Sequence, residues 1–173
     1  KAVVYLVLSI PPVHLPKALS RLVAFITPEG EDFSDRWSSR GHTDDRDRVF
    51  KVIQAHQANH PDQKVVILSG DIHIACLHEL SWLKGGQKLY QLISSGITHK
   101  PNWFVQQASK AIMKMKRTLR IEEKDVADVK LVGGEGNPCG GLNFGIVDMS
   151  ASPQSDAVDL CFSLYSQNKG KAA

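Results

Sequence analysis

The sequence predicts an α/β fold, on three observations. Ala2 to Ser9 (AVVYLVLS) and Lys64 to Leu68 (KVVIL) are continuous aliphatic and β-branched runs. Such runs mark strands buried on both faces. Between them lies a helical stretch, and strand, long connection, helix, strand is the signature of a crossover unit in an α/β sheet. The 173 residues are 42% hydrophobic and 23% charged, which is one domain's worth of chain with enough apolar surface for a core.

The first run is closed by Pro11-Pro12. No small-x-small cleavage site follows, so it reads as a strand ending at a turn and not as a signal peptide. The longest apolar run, Ala2 to Leu8, falls far short of the roughly 20 residues that cross a bilayer, so no transmembrane segment is expected. Residues 11 to 28 are punctuated by proline, with a short amphipathic piece at Lys17 to Ile26. Glu29 to Gly41 (EGEDFSDRWSSRG) is polar but carries Phe33 and Trp37, aromatics that act as loop plugs or as walls of a binding site.

Thr43 can cap a helix whose first turn holds Asp44 and Asp45, where carboxylates suit the positive end of the dipole. Val49, Val52, Ile53 and His56 then share one face. The helix runs to about Asn59 and stops before Pro61. Lys88 to Ile93 is a third strand, ending like the second in Ser-Gly chemistry. Trp103 to Arg120 has a helical period, with Phe104, Ala108, Ala111, Met115 and Leu119 on one face and Lys110, Lys114 and Arg117 on another. Residues 133 to 141 are turn-rich. They are followed by a predicted hairpin of Asn143 to Met149 and Ala157 to Tyr165, then a polar tail from Ser166. The glycines do not open a helix, which excludes a dinucleotide-binding fingerprint.

Charge is concentrated in one segment. The whole chain carries +3, yet Lys100 to Lys124 holds seven Lys/Arg against two Glu. A net charge so small argues against sequence-specific nucleic-acid binding. The basic helix is either a solvated face or a surface for an anionic partner. Three scattered cysteines, Cys76, Cys139 and Cys161, form no CxxC pair. They are expected as small buried residues and fit a reducing, intracellular compartment.

The chemistry-bearing segment is Ser69-Gly70-Asp71-Ile72-His73, directly after a buried strand. Ligands in open α/β sheets bind beyond the carboxyl ends of strands. In extended chain Asp71 and His73 point to the same side, and a carboxylate beside an imidazole suits a transition metal. The alternative is that Asp71 caps a turn and His73 is a satisfied polar group. His99 follows Ser94-Ser95-Gly96-Ile97-Thr98, the loop after the third strand, and faces the same cleft if that strand neighbours Lys64 to Leu68. Arg46 opens the long helix, where a planar guanidinium suits a phosphate. Its alternative is an ion pair with Asp44 or Asp45.

Taken together, several segments resemble one family. They are Asp35-x-Trp37, Asp45-Arg46 opening a helix, Val65 through Gly70-Asp71-Ile72-His73, Ser94-Ser95-Gly96-Ile97-Thr98-His99, and the Gly-Asn-Pro…Gly-Leu-Asn-Phe-Gly stretch from Gly136 to Gly145. In this order the chain resembles the C-terminal part of a PhoD-like alkaline phosphatase, within the calcineurin-like metallophosphoesterases. The resemblance implies the C-terminal half of a two-sheet α/β sandwich, spanning residues 1–165 with a flexible tail at 166–173. It also implies hydrolysis of a phosphate ester by metal-activated water, the metals being Fe, Mn, Zn or Ca. By the same resemblance Asp71 and His73 are metal ligands, His99 and Arg46 are catalytic, and Asp35, Trp37 and Arg46 bind substrate. The superfamily's other Asp and His motifs have no counterpart here. They are expected upstream of Lys1, on an N-terminal segment of the same domain that would be this chain's partner.

Overall fold

The computed structural model describes residues 3–13, 37, 41–70, 72, 74–94, 107, 110–111, 113–134, 136–151 and 158–167. Nine strands and one long helix are described. In chain order they are β1 (Val3–Leu8), α1 (Thr43–Asn59), β2 (Lys64–Ser69), β3 (Ile74–Trp82), β4 (Leu89–Ile93), β5 (Arg117–Ile121), β6 (Lys124–Leu131), β7 (Cys139–Gly140), β8 (Leu142–Ala151) and β9 (Val158–Gln167). The main sheet has the order β1-β2-β4-β3-β6-β5, with the short β7 also on β3. β8 and β9 form a separate two-stranded sheet. The α/β expectation holds at this level: a mixed sheet with α1 packed on it.

The sheet changes character halfway across. β1, β2 and β4 are mutually parallel. β3, β6 and β5 continue the sheet antiparallel. The parallel half contains the aliphatic runs that the sequence marks as strands. The strand expected at Lys88 to Ile93 does neighbour Lys64 to Leu68, with Leu68 paired to Leu92.

β3 is the central strand and is buried along nearly its whole length. It carries His78 and Glu79, so its composition resembles a strand less than its position does. One face of the sheet holds Leu80, Leu89, Val129 and Ile67, packed with Phe50 and Ile53 of α1. The buried face of α1 is thus Arg46, Phe50, Ile53 and Gln57, while Val52, expected to face the core, is 68% exposed. Gln57 fixes the helix to the sheet: its side chain accepts from Trp82 Nε1 at 2.8 Å and donates to Lys88 O at 3.2 Å.

The basic helix ends earlier than its period suggests. Lys114 N closes a turn on Lys110 O at 3.2 Å, and Arg117–Ile121 is already strand β5. In that strand Leu119 and Ile121 are buried and alternate with polar residues. Period-two burial against β6 outweighs the helical period for these residues. Met115, expected on the apolar face, is 60% exposed, and Met113 is buried in its place.

The predicted hairpin forms as β8–β9, with Phe144 opposite Tyr165. β9 runs through Gln167, so Ser166 and Gln167 belong to the sheet and not to a tail. The cysteines divide: Cys76 is buried, Cys139 half-buried and Cys161 exposed, so only the first behaves as a small core residue.

Candidate functional site at the carboxyl ends of the parallel strands

Parallel pairing brings three carboxyl ends to one edge of the sheet. Leu8 of β1 lies opposite Ser69 of β2, and Ser69 lies opposite Ile93 of β4. The ladder continues one step further, with Gly70 N donating to Ser9 O at 3.3 Å and Ser94 N donating to Ser69 O at 2.9 Å. The segments beginning at Asp71 and at Ser95 therefore leave from adjacent strands, as expected of two loops lining one cleft. Asp35, Asp71, His73 and His99 themselves lie outside the described residues.

Three described groups converge on this end. Trp37 is half-buried and donates Nε1–H to Ile10 O at 3.1 Å, which ties its loop to the end of β1. Ser94 Oγ lies 3.5 Å from Oδ1 of the buried Asn143, linking β4 to the hairpin. Ser69 Oγ is buried and has no hydrogen-bond partner among the described residues. A buried hydroxyl left in that state costs free energy and fits an end where a ligand supplies the missing bond.

Arg46 is elsewhere. Its guanidinium donates to Asp47 Oδ1 through Nη2 at 2.6 Å and Nε at 3.1 Å, and to Arg120 O at 2.8 Å. Asp47 Oδ2 accepts from Glu122 N at 2.9 Å. This clasp holds the β5–β6 turn against α1. That turn opens β6, which is antiparallel to β3, itself antiparallel to β4, so the turn lies at the end where β4 begins. Arg46 and the Gly70 segment are thus at opposite ends of the strands. The sequence left Asp44 and Asp45 as alternative partners for Arg46. The buried pair is with Asp47, because both residues fall on the inward face of the helix.

Sequence reasoning did not find a second polar cluster, inside the sheet. His78 is fully buried on β3, with Arg117 Nη2 2.6 Å from its Nε2 and Cys76 Sγ 3.7 Å from its Nδ1. A guanidinium can only donate, so Nε2 is the accepting nitrogen and the ring proton sits on Nδ1, towards the sulfur. Burial, reinforced by the Arg117 charge, lowers the His78 pKa from 6.5 to about 3, so the ring is neutral. Burial pushes the Cys76 thiol up, beyond any physiological ionisation. Gln91 borders the cluster and pairs its amide with the backbone of one residue: Val13 N donates to Oε1 at 3.1 Å and Nε2 donates to Val13 O at 2.6 Å. That pairing fastens the Pro11-Pro12-Val13 segment over the core. No sequence signal marks the cluster, since its members come from three different strands and the sheet alone brings them together.

Among the described residues no group of three or more His, Cys, Asp or Glu side chains converges as a metal centre. The two donors expected from the sequence, the Asp71 carboxylate and the His73 imidazole, lie outside the described residues. Two donors are fewer than the three that a catalytic site takes from protein. No helix among the described residues is long and apolar enough to cross a membrane. In comparisons with known proteins, no family model, no curated protein and no solved structure matches the chain.

Proposed function

We propose that this chain is the C-terminal portion of a metal-dependent phosphoesterase of the PhoD-like type. The observation that carries the reading is the alignment of β2 and β4. It supports a single cleft fed by the Gly70-Asp71-Ile72-His73 segment and by the Ser94-to-His99 segment. The orphaned Ser69 hydroxyl beneath that end supports it as well. In this reading the mixed sheet and the β8–β9 sheet belong to a two-sheet sandwich, completed by upstream sequence that brings the remaining Asp and His ligands.

Asp71 and His73 hold a metal, with Fe, Mn, Zn or Ca all compatible with the donors. When bound, the ion supplies Lewis acidity and a water of lowered pKa for attack at phosphorus. His99, protonated, gives its proton to the departing alkoxide. Trp37 walls the cleft, and Asp35 orients substrate through its carboxylate. Arg46, expected as a catalytic and substrate-binding residue, is left out of this reading, because its guanidinium is bonded to Asp47 and to Arg120 O.

The test uses the polypeptide that also carries the upstream motifs. His73→Ala is expected to lower metal stoichiometry by elemental analysis and to abolish turnover of p-nitrophenyl phosphate and its bis-ester. Unchanged stoichiometry and rate would sink the assignment. A second reading is a non-catalytic module that binds an anionic partner. It is favoured by Lys110 and Lys114, which have no ion-pair partner among the described residues. Hydrolysis by the longer polypeptide decides against it.

A further inference from the structure

A cleft of about 780 Å³ lies between the end of the basic helix, the glycine-rich loop after β6, and the inner face of β9. Its size is within the usual range for a small-molecule site. Two kinds of surface line it. Lys110 and Lys114 stand one helical turn apart and so on the same helix face. Leu77, Val132, Phe162 and Leu164 give it an apolar lining as well.

The apolar lining is held in place by its own bonds. Asn137 bridges the sheet where β6 ends: its Oδ1 accepts from Leu77 N at 3.2 Å, and its Nδ2 donates to Leu77 O at 2.9 Å and to Val132 O at 2.7 Å. Those bonds fix the loop of Gly133, Gly134 and Gly136. Gly133 has φ +101, a conformation that side chains disfavour, and nothing lies within 4 Å of the Cβ position of any of the three. The loop thus brings bare backbone to the cleft and leaves space in front of it. Phe162 is set against Tyr90 with ring centroids 5.6 Å apart, which anchors that part of the lining to β4.

The charges inside the cleft are unbalanced. Among the described residues that line it there is no carboxylate. The Cys139 thiol also lines the cleft, and burial raises its pKa in spite of the Ser166 bond and the Lys110 charge. Among the described lining residues, two lysines and a set of apolar side chains with no carboxylate suit a ligand that has both an anionic and an apolar part.

We propose that this cleft binds a small organic anion, with its carboxylate or phosphate head on Lys110 and Lys114 and an apolar body against Leu77, Val132, Phe162 and Leu164. The site uses none of the residues assigned to the phosphoesterase reading and stands whether or not that reading does.

The test is calorimetric titration of the chain with octanoate in EDTA, so that no metal takes part. Acetate serves as the head alone and 1-octanol as the body alone. Octanoate is expected to bind one to one, with acetate and 1-octanol each at least tenfold weaker. The K110E/K114E variant is expected to lose at least tenfold in octanoate affinity with an unchanged unfolding midpoint. K110Q/K114Q, a gentler change at the same positions, is expected to lose several-fold. The proposal is overturned if octanoate shows no saturable binding, if acetate binds as tightly as octanoate, or if both variants bind like the parent. It is also overturned if phosphatidylglycerol vesicles sediment the chain and octanoate does not compete, because the lysines would then serve a flat anionic surface and not a cleft.

Discussion

Arg117 Nη2 lies 2.6 Å from His78 Nε2 within the sheet, a cation donating to a neutral imidazole. Both groups are on strands of the antiparallel half, β5 and β3. The bond exists only while His78 is uncharged. A proton on Nε2 would remove the acceptor and set two positive charges side by side.

That contact predicts acid sensitivity. The folded state holds the His78 pKa at about 3 against 6.5 for a free imidazole, so between those values the unfolded chain binds more protons. Stability is therefore fully present above about pH 6.5 and is lost as pH falls towards about 3. Replacing the ring by an amide keeps an acceptor for Arg117 without a titrating group. His78→Gln is expected to be less stable than the parent at pH 7, yet to lose less between pH 7 and pH 5. Urea-unfolding midpoints at the two pH values check this, and an equal loss in both proteins would refute the His78 origin.

The Arg46–Asp47 clasp predicts a structural phenotype. Both side chains are 9% exposed, and Asp47 is the only described carboxylate on the buried guanidinium. Removing one partner of a buried pair leaves an uncompensated charge, which costs about 3–5 kcal/mol. Asp47→Ala is expected to fall in that range by chemical denaturation. Arg46→Ala is expected to be destabilising too, since Asp47 and Arg120 O lose their donor. A stability-neutral Arg46→Ala that impaired phosphate-ester binding would reopen a substrate role for this residue.

The β5–β6 turn invites a stabilising change. Glu122 and Glu123 have φ of 47 and 64, the left-handed region that hairpin turns of two residues require and that glycine adopts freely. Glu122 is tied to Lys51, but the described bond at Glu123 uses only its carbonyl, which accepts from Arg120. Glu123→Gly is expected to stabilise the fold by up to about 1 kcal/mol, raising the melting temperature by about 2–4 °C. A lowered melting temperature by differential scanning calorimetry would contradict the turn geometry.

Gly145 predicts the opposite. A Cβ there would sit 3.1 Å from Leu92 Cδ2 and 3.2 Å from Ser94 Cβ, at the point where the hairpin lies on the carboxyl end of β4. Gly145→Val is expected to cost about 1–3 kcal/mol through overpacking. Because the hairpin also forms a wall of the organic-anion cleft, octanoate affinity is expected to fall with it. A variant with parental stability would mean that the hairpin does not rest on β4.

Some of this architecture is legible in the chain. β2 announces itself because a strand buried on both faces needs an unbroken aliphatic run; β1 carries the same kind of run, but as the edge strand it leaves Tyr5 and Val7 exposed. α1 announces itself through a first turn of aspartates and a stop at Pro61. β8 and β9 do so through alternation around a polar connection. The end of β2 at Ser69 is likewise readable from the Ser-Gly that follows its aliphatic run.

What only the tertiary structure decided is where the polar residues go. β3 escaped notice because His78 and Glu79 interrupt its apolar pattern; both are buried at the centre of a sheet, where Arg117 on one face and Lys88 and Lys130 on the other meet them. The end of the basic helix at Lys114 was decided by β6, which offered Leu119 and Ile121 a ladder of backbone bonds that an isolated segment lacks. Arg46 looked like a phosphate ligand because it stands near a helix N-terminus. The antiparallel half of the sheet placed that terminus against the β5–β6 turn, at the wrong end for the cleft. Local pattern determines which residues want to be buried and at what period. The backbone groups that complete the buried Arg46–Asp47 pair, Arg120 O and Glu122 N, lie more than 70 positions away in the chain, and only the completed sheet brings them together.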